Sequence, residues 1–248
     1  RGELLRLYGS RRNPIDEVEI VNQADGISRG RLPDGASAYA DFPDTPTPGA
    51  SNYLQLLDVV INEVLAHTDA PLEDAIEIRN ISDTEINVGG WLLGDTPSGA
   101  TRFEIPADTK IAPGGYAVFY EGSFNAGGTG FSLNSAHGDT VYLTATDADG
   151  NPTGYRVVQP VPPTANGVSV GRVPTSQGWK FAAMTRRTFG SDLPVTVEQF
   201  RTGEGAGNSS ALVGPVVISE IQYEGAPDVV GLGQAQLEYI CLLYTSPS

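Results

Sequence analysis

Residues 140–159, with the sequence TVYLTATDADGNPTGYRVVQ, decide the fold class of this chain. Two runs rich in Val, Tyr and Thr, Thr140–Thr144 and Arg156–Gln159, flank the cluster Asp147-Ala148-Asp149-Gly150-Asn151. Short β-branched and aromatic runs on both sides of such a cluster predict a β-hairpin. Gly150 is placed to take the positive φ that a tight turn requires. The segment therefore predicts two antiparallel strands.

The same pattern continues along the chain and predicts an all-β protein. Seven further runs predict strands: Val59–Val64, Ile76–Asn80, Trp91–Gly94, Thr101–Ile105, Tyr116–Tyr120, Val168–Arg172 and Gly178–Phe181. Every residue of Tyr116–Tyr120 is apolar, so we expect this strand to be central and covered on both faces. No long window keeps a 3.6-residue apolar period, which argues against long helices. Short strands with frequent turns predict a sandwich of two sheets.

The composition excludes several classes of protein. The chain has 248 residues, one Cys and a net charge of −15. A single Cys cannot form a disulfide within the chain. The longest apolar run, Tyr239–Tyr244, is far shorter than the roughly 20 residues of a membrane span. Residues 34–160 carry 18 acidic and 4 basic side chains, which disfavours binding to phosphate backbones. We therefore expect no membrane insertion and no nucleic-acid partner, and read the negative charge as a solvated surface, with cation binding as the alternative.

Internal repeats predict the organisation of the chain. Residues 27–33 (ISRGRLP) recur as 168–174 (VSVGRVP), and 47–49 (TPG) recur as 188–190 (TFG), all at an offset of 141. Residues 60–64 (VINEV) recur as 217–221 (VISEI) at an offset of 157. One kind of unit therefore ends twice and begins twice, which indicates a tandem array.

These offsets predict five segments. Residues 1–53 are expected to be the closing part of one module, 54–192 a complete module, 193–214 a linker and 215–240 the start of a further module. The composition of Thr202–Ser210 is that of a flexible linker. Residues 241–248 fit no part of the repeated unit. One back-translation of them spells an adapter used for sequencing libraries, so we interpret them as read-through. The chain starts at Arg1 without a signal-peptide pattern, and we interpret it as a fragment.

A set of short motifs in a fixed order carries a resemblance to a known family. They are Asn62-Glu63 at the end of the first strand, Ile76-Glu77-Ile78-Arg79-Asn80, Gly90-Trp91-Leu92-Leu93, the turn and strand at 113–118, Gly138-Asp139 before a strand, and a closing motif whose second occurrence holds Gly171-Arg172. In this order they resemble the lamin tail domain, an immunoglobulin-like sandwich found in nuclear lamins and, in tandem, in many bacterial surface proteins. The resemblance implies structural roles for these motif residues. The second closing motif departs from the family, since Phe189 stands where Pro is usual.

The resemblance implies non-catalytic, tandem immunoglobulin-like modules of a secreted or surface bacterial protein. They would act as spacers, tethers or adhesion units, with neighbouring modules and an unidentified protein or cell-surface ligand as partners. The alternative is the accessory region of an extracellular hydrolase or nuclease whose catalytic domain lies elsewhere. DNA binding, by analogy with nuclear lamins, is opposed by the charge of residues 34–160.

Few residues suggest chemistry. Asp147, Asp149 and Asn151 half-resemble a calcium loop, although a plain hairpin explains them as well. No other cofactor is expected. Glu63 and Glu77 could form an acid–base pair, or each could lie at a strand edge and pair with an Arg or with loop amides. We expect His67 and His137 to have structural or solvent-exposed roles.

Two aromatic features have open interpretations. Trp91 and Trp179 could form a ligand platform, but Trp on a sandwich strand is more often core. The loop Gly122–Asp139 carries Phe124 and Phe131 among small polar residues, and is a candidate for partner contact.

Overall fold

The computed structural model describes residues 3–97, 102–214, 216–223 and 238–244. The strands that precede the complete unit or open it are β1 (Glu3–Tyr8), β2 (Pro14–Ile20), β3 (Ser28–Arg31), β4 (Tyr39–Phe42), β5 (Leu54–Gln55), β6 (Val59–Leu65) and β7 (Ala75–Asn80). They are followed by β8 (Ile86–Asn87), β9 (Leu92–Gly94), β10 (Phe103–Glu104), β11 (Lys110–Ile111) and β12 (Tyr116–Tyr120). The last strands are β13 (Asp139–Thr146), β14 (Pro152–Val161), β15 (Val170–Thr175), β16 (Gly178–Ala183), β17 (Val216–Gln222) and β18 (Tyr239–Tyr244). Among these described residues, the helices are α1 (Glu121–Phe124), α2 (Val197–Phe200) and a 3-10 turn at Ala126–Gly128.

Two five-stranded sheets form the central sandwich. The first has the order β10-β9-β13-β14-β5 and the second the order β12-β7-β6-β15-β16. The predicted hairpin is confirmed: β13 and β14 pair antiparallel, and Gly150 in their turn has a φ of 79°. Between the sheets lies a core of aliphatic and aromatic side chains that includes Ile61, Ile78, Leu93 and Leu143. The predicted all-β sandwich is therefore confirmed.

The predicted strands are present with shifted ends. Trp91 lies just before β9, and β10 covers only Phe103–Glu104 of the predicted Thr101–Ile105, with Thr101 outside the described residues. The prediction that Tyr116–Tyr120 is central was wrong, because β12 forms one edge of its sheet. This edge strand is apolar because both of its faces are covered. Phe119 packs into the sandwich core, while Tyr120 packs against Phe200 on the other face.

Strand β6 is the buried centre of the second sheet, and all seven of its residues are buried. Its pairing with β7 skips Asn62, since Ile61 pairs with Ile78 and Glu63 pairs with Glu77. Such a bulge adds one residue to one strand and changes which face the following side chains occupy. Val64 thus returns to the core, and Glu63 lies on the opposite face of the sheet.

The segment that composition predicted to be a flexible linker packs against this opposite face. Phe200 is completely buried and contacts the Phe189 and Tyr120 rings, at centroid distances of 6.4 and 5.5 Å. Further along, the amide of Leu212 donates to the carbonyl of Ala183 at 2.7 Å. Composition misled because glycines that permit close backbone contact also occur in flexible chains. The segment from residue 193 to residue 212 is therefore a cover for the sheet.

The long loop after β12 is anchored by its aromatic residues. Phe124 and Phe131 are each 2% exposed and stack with their ring centroids 4.6 Å apart. Both belong to the sandwich core. The loop therefore uses these side chains to hold itself on the module.

In the part of the chain that the structure describes, three further hairpins lie outside the sandwich. Strands β1 and β2 pair antiparallel, as do β3 with β4 and β17 with β18. The expected third module, residues 215–240, is described only at 216–223 and 238–240, and residues 245–248 of the final segment lie outside the described residues. Residues 241–244 continue β18. Ile218 and Ile221 are each 59% exposed, so the described part of this hairpin leaves apolar side chains uncovered.

Candidate functional site

The most unusual feature of the molecule is a pair of acidic side chains on the covered face of the second sheet. Glu63 on β6 and Glu77 on β7 are direct cross-strand partners, and each is 0% exposed. Like charges directly opposite each other on neighbouring strands are destabilising. The residues around the pair therefore determine whether this arrangement is tolerated.

Glu63 is held by Ser169, which directly precedes β15, and by Thr188, in the chain that follows β16. Its carboxylate accepts hydrogen bonds from the Ser169 hydroxyl and from the Thr188 hydroxyl, and the Thr188 amide donates to it at 3.2 Å. Burial raises the pKa of Glu63 above its usual value, and these hydrogen bonds oppose the shift. Glu63 thus ties the closing segment at Thr188 to the centre of the sheet.

Glu77 has neutral partners. Its carboxylate accepts from the Asn62 side-chain amide at 2.6 Å and from the Ala206 amide at 3.3 Å. Burial raises the pKa of Glu77 to about 8, the Asn62 hydrogen bond lowers it, and the charge of Glu63 raises it. Glu77 therefore favours its protonated form in the folded protein near neutral pH.

Asn208 completes the cluster from the covering segment. Its side-chain amide donates to the carbonyl oxygens of Asn62 (3.0 Å) and Arg172 (2.8 Å), and its carbonyl oxygen accepts from the Asn62 side chain at 2.7 Å. Gly171 leaves room for this contact, because a Cβ there would lie 2.8 Å from the Asn208 nitrogen. One side chain thereby joins β6, β15 and the covering segment.

This geometry decides between the two interpretations of the glutamates. Both side chains are fully buried, and both carboxylates accept hydrogen bonds from other groups of the protein. The expected position at a strand edge was wrong, since both strands are interior. Of the two expected kinds of partner, the structure shows loop amides, at Thr188 and Ala206, and not an Arg. The cluster therefore acts as a polar clasp between the sheet and its cover, and we call Asn62, Glu63, Glu77, Ser169, Thr188 and Asn208 the carboxylate clasp.

The closing unit near residue 50 repeats one half of this clasp. The Asn52 side chain donates to the carbonyl of Arg31 at 3.0 Å, as Asn208 does to Arg172, and a Cβ at Gly30 would lie 2.7 Å from the Asn52 nitrogen. Residues 49–52 (GASN) thus correspond to 205–208 (GAGN) at an offset of 156. Thr47 corresponds to Thr188 at an offset of 141, so fifteen additional residues lie between Thr188 and Asn208 in the complete module.

The remaining family-motif residues organise turns. The Asn80 side-chain amide donates to the carbonyls of Thr84 and Ile111, at 2.6 and 2.9 Å. The Asp139 carboxylate accepts the amides of Asn134 and Thr140, at 2.8 and 2.7 Å. These side chains therefore tie loops to the sheets.

Two of the motif glycines adopt positive φ. Gly90 has a φ of 81°, and its carbonyl accepts from Thr146 at 2.9 Å. Gly138 has a φ of 79°, and a Cβ there would lie 2.5 Å from the Val161 carbonyl oxygen. Trp91, beside Gly90, is half-buried against the sandwich core.

The candidate calcium loop is a hairpin turn whose acidic side chain serves the backbone. The Asp147 carboxylate accepts the amides of Asp149 and Asn151, at 3.0 and 2.9 Å, and these hydrogen bonds lower the pKa of Asp147. Within the described residues, no group of three or more His, Cys, Asp or Glu side chains could hold a metal ion. These hydrogen bonds give Asp147 a structural role in the turn.

The histidines and the second tryptophan lie apart from the clasp. His67 contacts the Thr164 carbonyl through Nδ1 at 2.8 Å, and His137 is exposed. Trp179 was predicted to be core but is 59% exposed on the edge strand β16, where the Arg172 guanidinium lies 4.7 Å from its ring centroid.

No helix in the described part of the chain is long and apolar enough to cross a membrane.

The first closing unit contacts the complete module directly. The chain leaves this unit at Tyr53 and enters the complete module as β5, which pairs in parallel with β14, and the amide of Leu56 donates to the carbonyl of Arg156 at 2.9 Å. The Arg156 guanidinium lies 5.5 Å from the Tyr53 ring centroid. Leu32 packs so closely on Gly154 that a Cβ there would collide with it. A cavity of about 360 Å³ remains between the two units, lined in part by Asp34, Arg102 and Arg156.

Comparison with known proteins gives one match. No curated protein and no solved structure matches the chain. A family model matches residues 55–157, which include β6, β7 and the β13–β14 hairpin. Residues 55–157 of this chain match the Lamin Tail Domain, a non-catalytic family with an immunoglobulin-like β-sandwich fold.

Proposed function

We propose that this chain is a spacer built from lamin-tail-like modules in series, in a secreted or cell-surface protein of the bacterial type. Its modules hold other parts of that protein, or a surface ligand, at a fixed separation. The match of residues 55–157 to a non-catalytic family supports a binding or structural role. The acidic, Lys-poor composition supports the extracellular location.

The observation that carries the proposal is the direct packing of successive units. The chain leaves the first closing unit at Tyr53 and immediately joins the sheet of the next module as β5. Leu32 packs on Gly154, and Tyr53 lies beside Arg156. A connection that is hydrogen-bonded into the following sheet restricts hinge motion between units. Such a connection suits a spacer that keeps its length.

The first closing unit also repeats the hydrogen bond by which the covering segment is attached. Asn52 binds the carbonyl of Arg31 as Asn208 binds that of Arg172. Two units of one chain therefore close with the same contact. This repetition supports the tandem organisation and makes neighbouring modules the first partners of each module.

Distance measurement between the two units tests the proposal. Spin labels at Ser37→Cys and Gln177→Cys, both exposed positions, would report the separation in a Cys241→Ser background. A rigid spacer gives one narrow distance distribution. A broad or bimodal distribution in the otherwise unaltered chain would contradict the proposal.

A pair of variants identifies the contact responsible. Leu32→Ala removes the side chain that packs on Gly154 and should broaden the distribution. Leu57→Ala is the matched control, because Leu57 is 74% exposed. It should leave the distribution unchanged, and equal broadening by both variants would mean that the Leu32 contact does not set the geometry.

A further inference from the structure

A small cavity on the complete module collects positive charge, although the chain as a whole has a net charge of −15. Its volume is about 240 Å³, and its lining residues are Asn62, Arg79, Ile81, Gly114, Arg172 and Trp179. Burial and the charge of Arg79 both lower the pKa of Arg172, so the two guanidinium groups lie close enough to repel each other. We call this cavity the arginine pocket.

Neither guanidinium group of the arginine pocket is neutralised by an acidic side chain. Among the described residues, the side chains of Arg79 and Arg172 take part in no ion pair or hydrogen bond, and Nε of Arg79 is buried without a partner. Burial raises the pKa of Glu77 to about 8 although the charge of Arg79 lowers it, so the nearby Glu77 is mostly protonated at neutral pH. Unpaired charges of one sign that meet in a cavity point to a ligand of the opposite sign.

An aromatic ring holds each guanidinium group in position. The Arg79 guanidinium lies 5.2 Å from the Tyr116 ring centroid, and that of Arg172 lies 4.7 Å from the Trp179 ring centroid. Stacking orients the planar guanidinium and leaves its N–H groups available in the plane. A guanidinium in this state can bind a carboxylate through two parallel hydrogen bonds. The arginine pocket is therefore preorganised for a carboxylate ligand.

Other groups of the arginine pocket fit the ring of a sugar. Trp179 is 59% exposed, which leaves apolar indole surface for a ring to pack against. The Asn62 side-chain amide donates to Glu77 and Asn208, but its carbonyl oxygen accepts no hydrogen bond among the described residues. This oxygen can accept from a hydroxyl group. The volume of about 240 Å³ is below the roughly 300–1,000 Å³ of pockets for drug-sized ligands, so it suits a single sugar residue.

The arginine pocket does not depend on contacts between modules. All of its lining residues belong to the complete module. The first closing unit contacts the next module through Leu32 and Tyr53, which correspond to Val173 and Ser209 at the repeat offsets of 141 and 156. Neither Val173 nor Ser209 lines the pocket. The pocket is therefore a feature of the complete module itself.

We propose that the arginine pocket binds an acidic sugar, with the carboxylate of a hexuronic acid on Arg79 and Arg172 and the sugar ring against Trp179. The ligand is a uronic acid residue of a polysaccharide, met at the proposed surface location, on which this assignment rests. One carboxylate per sugar suits the site, because the net negative charge of the chain opposes a more densely charged polyanion.

Titration with small molecules that share parts of this ligand tests the assignment. The full chain is titrated calorimetrically with sodium glucuronate, with glucose, which keeps the ring, and with acetate, which keeps the carboxylate. We expect saturable binding of glucuronate with a Kd of about 1 mM, and at least tenfold weaker binding of the other two. Absence of saturable glucuronate binding up to about 50 mM would overturn the proposal, as would equal binding of glucose or acetate.

A peptide carboxylate is the competing ligand, and N-acetylglutamate amide represents it in the same titration. We expect it to bind at least tenfold more weakly than glucuronate, because it has no sugar ring to pack against Trp179. Binding as tight as that of glucuronate would assign the arginine pocket to a protein partner and overturn the proposal.

Variants of the arginine pocket identify its residues. Arg172→Gln and Trp179→Ala change side chains that make no hydrogen bond among the described residues, so both chains should fold, which thermal melting checks. Each should weaken glucuronate binding at least tenfold. Arg186→Gln removes an exposed guanidinium outside the pocket and is the matched control, with unchanged binding. Unaltered binding in either pocket variant, or an equal loss in Arg186→Gln, would overturn the proposal.

The variant Arg172→Lys separates the geometry of the contact from its charge. Lys keeps the positive charge but lacks the planar fork of donors. Its binding of glucuronate should be weaker than that of the unaltered chain and tighter than that of Arg172→Gln. Binding as tight as in the unaltered chain would overturn the paired hydrogen bonds to the carboxylate. None of these titrations depends on the distance between the two units, so acidic-sugar binding and the spacer function can fail separately.

Discussion

Glu63 and Glu77 lie directly opposite each other on adjacent strands, and neither carboxylate reaches solvent. The pair is tolerated because the two partners have different environments. Glu63 accepts several hydrogen bonds from Ser169 and Thr188, whereas Glu77 accepts one from Asn62 and one from a loop amide. The pKa of Glu77 is accordingly raised to about 8. A proton on one member removes the repulsion between two buried charges.

Protonation of Glu77 makes the stability of the module depend on pH. Its pKa rises from 4.5 in the unfolded chain to about 8 in the folded one, so the folded state binds the proton more tightly. The stabilisation is fully present below pH 4.5 and is lost as pH rises to about 8. We expect the free energy of unfolding, measured by urea denaturation, to fall across this range.

The variant Glu77→Gln tests the source of this dependence. A neutral side chain removes the cost of a buried charge, so the variant should gain stability relative to the unaltered chain between pH 4.5 and 8, by about 1–3 kcal/mol at pH 8.5. Glu104→Gln, at an exposed position, is the control and should show no such trend. Parallel pH profiles for Glu77→Gln and the unaltered chain would assign the dependence to other groups.

Asn208 should contribute strongly to stability although it lies in a segment of linker-like composition. Asn208→Ala removes two donated hydrogen bonds and leaves the buried Asn62 amide with one partner fewer. We expect a loss of about 2–3 kcal/mol in the free energy of unfolding. The control Asn166→Ala removes only a surface hydrogen bond to Asp69 and should cost far less. Equal effects would mean that the carboxylate clasp does not stabilise the module.

Phe200 should fix the end of the protease-resistant unit. Its side chain is fully buried against Phe189 and Tyr120, so Phe200→Ala should cost about 3–5 kcal/mol. We expect limited proteolysis of the unaltered chain to leave a core that extends to about residue 212, as the Leu212 hydrogen bond to Ala183 indicates. Val195→Ala, with Val195 78% exposed, should leave the pattern unchanged. A core ending at 192 would show that the cover is dispensable.

The turn at Asp147 offers a test of the calcium hypothesis. Because its carboxylate already accepts two backbone amides, Asp147→Ala should lower the melting temperature by a few degrees, with or without calcium. Asp149→Ala removes no side-chain hydrogen bond seen in the structure and should have little effect. A saturable rise in melting temperature with millimolar Ca²⁺, lost in both variants, would instead support a metal site.

The sequence predicted the sheets well because their signals are local. The β13–β14 hairpin follows from β-branched runs around a Gly-containing turn, and the strand at Val59–Val64 from its richness in Val and Ile. The edge position of β12 could not be predicted, because its apolar residues pack against Phe200, which is distant in sequence. The prediction that Trp179 is a core residue was wrong for a related reason. On an edge strand, an aromatic ring can stack on an Arg side chain at the surface.

The carboxylate clasp was only partly predictable. Glu63 and Glu77 were visible as acidic residues in apolar strands, but their burial depends on the bulge at Asn62 and on a cover more than a hundred residues away. The signal for that cover was present in residues 205–208 (GAGN), which repeat 49–52 (GASN) at an offset of 156. The inserted residues before it concealed the match, because they shift the repeat out of register.

The insertion between Thr188 and Gly205 has a consequence for how such modules diversify. Its two ends meet at Gly190 and Gly203, where a Cβ on Gly203 would collide with the Gly190 amide. A loop that leaves and returns at one point does not alter the positions of Thr188 and Asn208 on either side of it. Its length and sequence can therefore vary while the structure of the sandwich stays the same. Foreign peptides could be grafted at this position, provided that each retains one aromatic side chain to fill the space of Phe200.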